Sequence, residues 1–212
     1  MYNKPNTYGP TVAGMLHKLQ MIQAVASNIS NANSIGYQRK IPESLNFQSI
    51  LSDAIMRDPS QGQLKKTGNT LDMAIEGNAY FLVEGKEGPV PTKTGRLHLN
   101  EKGLLTDQEN REVVVIDKTD KELNIANDFD VQIKENGELF VGGERYGRIA
   151  LQIMDNNPVK IHQGFLEMSN VNLMTEMMTL LTVFRNFEAS EKTLGMEASV
   201  DKDLIEKYGR NV

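Results

Sequence analysis

The last forty residues hold an apolar stripe that cannot be left in water. The series Leu173, Met177, Leu180, Phe184, Phe187, Glu191, Leu194 and Ala198 keeps a 4-3-4-3 rhythm, broken only at Glu191. Met174, Met178 and Leu181 widen it on one side, and no proline occurs after Pro158. This spacing predicts a helix of seven turns or more, with Asn172 as its N-cap, and a helix with one wide apolar stripe must bury it against something. A second stripe opens the chain. Val12, Leu19 and Ala26 are seven apart, as are Met15, Ile22 and Ile29, and interleaved they form the seam of a second helix over 11–29. The stretch from Asn28 to Gly36 is rich in Asn and Ser, whose side chains compete for the backbone, and Gly36 permits a positive φ, so the helix should end there.

Between the helices the period changes to two. Leu71/Met73/Ile75, Tyr80 to Val83, Leu97/Leu99, Val113 to Ile116, Phe129/Val131/Ile133, Leu139/Val141, Ile149/Leu151/Ile153 and Val159/Ile161 read as short strands. Turn residues separate them at Glu76–Asn78, Gly85–Pro91, Asn136-Gly137, Gly142-Gly143 and Asn156–Pro158, and Asn136-Gly137 is a strong hairpin signal. The expected fold is α+β, with N- and C-terminal coiled-coil helices flanking a compact antiparallel β domain, a sandwich or irregular barrel. The segments are 1–40 for the first helix and its Asn-rich end, 41–69 for a linker, 70–162 for the β domain and 163–212 for the second helix. Leu45 to Met56 has the composition of a short helix, and Asp58–Gly62 that of a loop.

Two helices alone leave the outer half of each stripe exposed, which points to lateral association of several copies or relatives. The residues expected at that interface are Val12, Met15, Leu19, Ile22 and Ile29 with Leu173, Met177, Leu180, Phe184, Phe187 and Leu194. The charges agree. Residues 1–42 carry Lys4, Lys18, Arg39 and Lys40 and no acid, whereas 165–212 hold eight acids and five bases, so the ends should attract. A transit peptide would be rich in Arg, and this start has one; a nucleic-acid arm would need denser positive charge.

Little supports catalysis. There is no Cys, and His17, His98 and His162 stand far apart, so thiol nucleophiles and Cys-based zinc sites are excluded and no metal-ligand spacing is present. His17 reads as a polar-face residue. Gly85–Gly88 and Lys93-Thr94-Gly95 lack the spacing of a phosphate loop and read as surface hairpins. The acids of 107–130 read as a solvated loop face, although a β-domain hydrolase built on carboxylates is an alternative, as is a coiled-coil adaptor. No apolar run approaches the 18 residues of a membrane-spanning helix, and no cleavable leader is apparent.

Specific blocks then resemble a known family. Ala26 to Tyr37, with Asn28, Asn31, Asn33 and the Gly36-Tyr37 pair, is similar to the N-terminal signature of bacterial flagellar rod and hook proteins. Gly68-Asn69-Thr70-Leu71-Asp72, followed by Tyr80–Val83 and Thr94–Thr106, resembles the family's central block. Gln163 to Asn172, including Ser169, Asn170, Val171 and Asn172, resembles the motif that opens its C-terminal segment, and Arg185 with Phe187-Glu188-Ala189 resembles the pattern that follows. The compact insert is most like proximal-rod members, with distal-rod members second.

The resemblance implies a structural subunit of the basal-body rod, not an enzyme, with no cofactor, no metal and no catalytic residue. It implies export from the cytoplasm by the type III apparatus without a cleaved signal. The implied site is the flagellar basal body, in the periplasm where an outer membrane is present. The implied partners are further copies, proximal- and distal-rod proteins and hook-side neighbours, with no nucleic acid and no small-molecule substrate. In the assembled rod the 163–212 helix would pair with 11–31.

Overall fold

A computed structural model describes residues 8–41, 56–119 and 131–208. It is α+β, with two long helices and several small antiparallel sheets. Helix α1 runs Tyr8–Ser30 and α2 runs Leu173–Tyr208. The chain divides into two compact units. The helical unit holds α1, the strand pair Lys40–Ile41 with Met56–Arg57, and α2; the β unit holds residues 31–39, 58–119 and 131–171.

α1 keeps Gly9-Pro10 in its first turn, where proline's missing N–H costs nothing. It ends at Ser30, and Asn31 accepts a bond from the Ser34 amide in the turn that follows. α2 is capped as its sequence demands: Asn172 Oδ1 accepts from the Thr175 amide at 3.1 Å. Over 36 residues α2 makes about ten turns.

The β unit is built from the alternating segments. Strand Ala79–Gly85 is central in a three-stranded sheet between Leu151–Ile153 and Gly88–Thr92. A four-stranded sheet orders Val131–Ile133, Glu138–Val141, Glu144–Ile149 and Val115–Ile116. Its turns are those the glycines require. Gly137 has φ +84°, and Gly142 and Gly143 both have positive φ between the paired residues Val141 and Glu144, the condition for a two-residue type I′ hairpin. Phe81, Met73, Ile75, Leu139, Ile149 and Ile161 are fully buried in one core, each contributing about 1.5–3 kcal/mol by leaving water.

Several expectations are corrected. Gly85–Pro91 is not merely a break: Gly88–Thr92 is a strand despite Pro89 and Pro91. It lies at the edge of its sheet, where a residue lacking N–H is tolerated. The stretch read as linker contains strand Leu64–Lys66, which pairs with Phe165–Glu167, so the β unit takes in chain on both sides of 70–162. Met56 lies in a strand rather than closing a helix, and the rest of that expected helix, 45–55, falls outside the described residues, as does Phe129. Ile149 and Leu151, read as one alternating strand, belong to different sheets.

The surface hairpin expected at Lys93–Gly95 is also overturned. Lys93 is buried, its Nζ 3.5 Å from Glu167 Oε2, 3.4 Å from the Gly77 carbonyl and 5.1 Å above the Tyr80 ring. Glu167 Oε1 accepts from the Gly62 amide at 3.0 Å, and a Cβ on Gly62 would stand 1.9 Å from the Met168 carbonyl oxygen. Only a glycine lets the chain approach so closely. Burial pushes the Glu167 carboxyl above its ordinary 4.5, against the opposing pull of the Gly62 amide and Lys93. A carboxyl with a raised folded-state value contributes stability that is complete below about pH 4.5 and is lost as pH rises through the raised value. Glu167→Gln, which keeps the acceptor for Gly62 but cannot ionise, should therefore flatten that loss, measured as urea-unfolding free energy from pH 4.5 upward.

Candidate assembly surface

The two helices of the helical unit run antiparallel. Asn28 near the end of α1 meets Glu176 in the first turn of α2, while Lys18 meets Asn186 and Ser190 further along. Asn28 is fully buried and has three hydrogen bonds in place. Its Nδ2 donates to Glu176 Oε2 at 3.1 Å and to the Lys40 carbonyl at 2.9 Å, and its Oδ1 accepts from the Lys40 amide at 2.8 Å. An amide side chain is the one type that can donate to a carboxylate and still satisfy both backbone groups of a strand residue. Lys18 donates to the Asn186 carbonyl at 3.1 Å and to Ser190 Oγ, so its contact with α2 is not a carboxylate pair as the charge distribution suggests.

The face of α1 turned to α2 centres on Met21, Ala24, Val25 and Asn28, with Ala24, Val25 and Asn28 buried. The expected seam lies elsewhere on this helix: Val12 is 45% and Leu19 41% exposed, and Met15, Ile22 and Ile29 are half-buried. On α2 the buried residues are Glu176 and Val183, with Leu180, Phe187, Ser190 and Leu194 half-buried in line with them. Leu173, Met177 and Phe184, the other half of the expected seam, are exposed, together with Met174, Met178 and Leu181. The internal pairing thus takes one side of each stripe and leaves the other bare. Small and polar residues (Ala24, Asn28, Glu176, Ser190) lie at the internal contact, and periodicity of apolar residues alone does not find them. His17 does not sit on a polar face. It lines a groove between α1 and α2, and its Nδ1 has no hydrogen-bond partner among the described residues.

The signature residues of the β unit tie chain segments together. Asn170 accepts from the Arg39 amide at 2.7 Å and donates to the carbonyls of Asp58 and Ser60 at 3.1 and 2.8 Å, while its own amide reaches the Tyr37 carbonyl at 3.4 Å. The hydroxyl and amide of Ser60 hold the Asp58 carboxyl below its ordinary range, outweighing its burial, with Arg39 adding to the effect. Gly36, at φ +64°, donates to the Glu167 carbonyl at 2.8 Å and packs on the Lys93 backbone, where a Cβ would stand 2.6 Å away. In the central block, Asp72 accepts from Thr67 Oγ1 at 2.6 Å and Asn69 Nδ2 at 3.3 Å, and Leu71 is buried beneath this turn. Gly68 supplies a φ of +78°, and Ser169 Oγ accepts from the Val171 amide. Asn33 is exposed. Among the described residues no group of three His, Cys, Asp or Glu is placed to hold a metal.

Asn28→Ala removes three hydrogen bonds from a buried position. With about 1 kcal/mol net for each and more for the one to a carboxylate, the helical unit should lose about 3–4 kcal/mol. Loss of α-helical ellipticity at a lower denaturant concentration than in the parent chain measures it.

Comparison with known proteins agrees with this architecture. Residues 162–206 match the family model described as the flagellar basal body rod FlgEFG protein C-terminal region. The chain is 29% identical to the flagellar basal-body rod protein FlgF of Mesorhizobium japonicum, over 89% of this chain and 91% of that protein. It is 21% identical to the rod protein FlgG of Bacillus subtilis over 92% and 96% of the two chains. It is also 34% identical to the flagellar hook protein FlgE of Brucella abortus, over 41% of this chain and 27% of that one. Over most of its length the chain is similar to bacterial flagellar basal-body rod and hook proteins.

Proposed function

We propose that this chain is a structural subunit of the flagellar basal-body rod, located in the basal body, and that it polymerises through its terminal helices. One observation carries the reading. Val12, Leu16 and Leu19 on α1, and Leu173, Met174, Met177, Met178, Leu181 and Phe184 on α2, are left exposed after the helices have paired with each other. Exposed large apolar residues are ordinary when scattered; a continuous face of them on a paired helix marks an interaction surface.

The mechanism follows from the energetics of burial. Each Leu or Phe covered by a neighbour contributes about 1.5–3 kcal/mol, against the loss of translational freedom and the ordering of side chains. Many such residues per subunit suit an axial polymer, in which each subunit has neighbours on several sides. Flexible Met side chains adapt the same face to neighbours that are similar but not identical. The coiled-coil seam expected from the 3-4 spacing would then be shared between subunits. Delivery by the type III export apparatus, and contact with proximal- and distal-rod proteins and the hook side, complete the proposal. The relatives' names, FlgF, FlgG and FlgE, support it.

Deleting residues 173–198 removes the α2 face and leaves the β-unit sequence intact. The expected outcome is a β-type circular dichroism spectrum and monomeric sedimentation, with no incorporation into rods. Loss of the β spectrum would contradict the modular reading, and normal incorporation would contradict the assembly role.

A further inference from the structure

With no Cys in the chain, its oxidisable sulfurs are the thioethers of 11 methionines. The fold sorts them. Met73 is fully buried in the β core, and Met15, Met21 and Met168 are half-buried. Met174, Met177 and Met178 are 69%, 49% and 59% exposed. At spacings of three and four residues these three share one side of α2 within its first two turns, beside the exposed Leu181. The other exposed methionines stand singly. Met56 and Met154 belong to the strand regions, and Met196 lies about 27 Å further along α2 than Met178.

Clustering matters because of what oxidation does to a thioether. A peroxide transfers one oxygen: an S–O bond forms, the O–O bond breaks and water leaves, so sulfur gives up the two electrons that the peroxide gains. A flexible apolar side chain becomes a polar acceptor, which water satisfies on an exposed helix face but an apolar neighbour does not. We propose that Met174, Met177 and Met178 form a peroxide-sensitive modification site, and that their conversion to sulfoxides in the free subunit withdraws the α2 face from assembly without unfolding the chain. Two observations select this cluster. It is contiguous on the face that the helix pairing leaves bare, and the seclusion of Met73 keeps the β core out of the oxidant's reach. A thiol-dependent sulfoxide reductase reverses the change, two thiols becoming a disulfide as water is released. The effect on assembly rests on the polymerisation reading above; the site itself does not.

The test of the site uses the purified full chain in hydrogen peroxide, sampled over time, with sulfoxides located by fragment mass spectrometry. Each of the three methionines should gain about 16 Da at least roughly thirtyfold faster than Met73, with the helical circular dichroism unchanged. Rates no faster than at Met73, or loss of helix in step with oxidation of the three, overturn the site. The effect on assembly is read in cells lacking the chain, in which the parent or Met174→Leu/Met177→Leu/Met178→Leu is induced with and without sublethal peroxide. The chain present in isolated basal bodies is then quantified. Peroxide should lower incorporation of the parent roughly fivefold more than that of the leucine variant. Equal loss for both, or no loss for either, overturns the effect on assembly. If the triple variant does not enter rods without peroxide, single Met→Leu variants replace it, each recovering part of the effect. A parent chain absent from basal bodies without peroxide overturns the polymerisation reading instead and leaves the site to the mass data.

Discussion

Two helices that pair can cover only the sides that face each other. In this chain the consequence is sharp, because the apolar stripe on each helix is wider than the face its partner covers. α1 and α2 bury Ala24, Val25 and Val183 between them and leave Val12, Leu19, Leu173, Met177 and Phe184 in solvent. The internal contact is held as much by polar specificity as by apolar area. Asn28, buried and bonded to Glu176 and to both backbone groups of Lys40, fixes which turn of α1 meets which turn of α2. A buried polar residue that sets register at some cost in stability is a known device of paired helices. Here it leaves the greasier residues free for other contacts.

The β unit shows the same division of labour. Its core is ordinary aliphatic and aromatic packing, but its outlying segments are tied by Asn170, Glu167 and Lys93, engaged with backbone groups or with each other, and by Asp72, which accepts from the Thr67 and Asn69 side chains. That arrangement explains why the family signature is written in asparagine, glycine and aspartate. Asn170 has one acceptor and two donors, enough to bind three separate backbone groups at once. Gly36 and Gly62 allow chain to lie on chain where a methyl group would collide. The signature residues thus hold the segments in place rather than perform chemistry.

Much of the fold is legible in the sequence because local physics dictates it. The cap at Asn172, the end of α1 in the Asn-rich run and the hairpins at Asn136-Gly137 and Gly142-Gly143 each need only a few adjacent residues. What is not legible depends on contacts distant in sequence. Lys93 reads as a surface residue because lysine usually is one; Glu167, the Gly77 carbonyl and the Tyr80 ring, brought beside it by the fold, make its burial tolerable. The strand through Pro89 and Pro91 is hidden because its tolerance depends on being at a sheet edge. The helix faces are the instructive case. Apolar periodicity marks all the surface that a helix must hide, without separating what its own chain covers from what remains, and the internal face carries Glu176 and Ser190, which a hydrophobic pattern passes over.

The central claim is that the face left bare by the α1–α2 pairing is covered by neighbouring subunits in the rod. The absence of cysteine from the chain permits a direct measurement. A single Leu181→Cys substitution places one thiol in the middle of that face, and its rate of reaction with a maleimide is compared between the purified chain and intact basal bodies. The account predicts rapid labelling of the purified chain and strong protection in the basal body. Equal reactivity in both would contradict it.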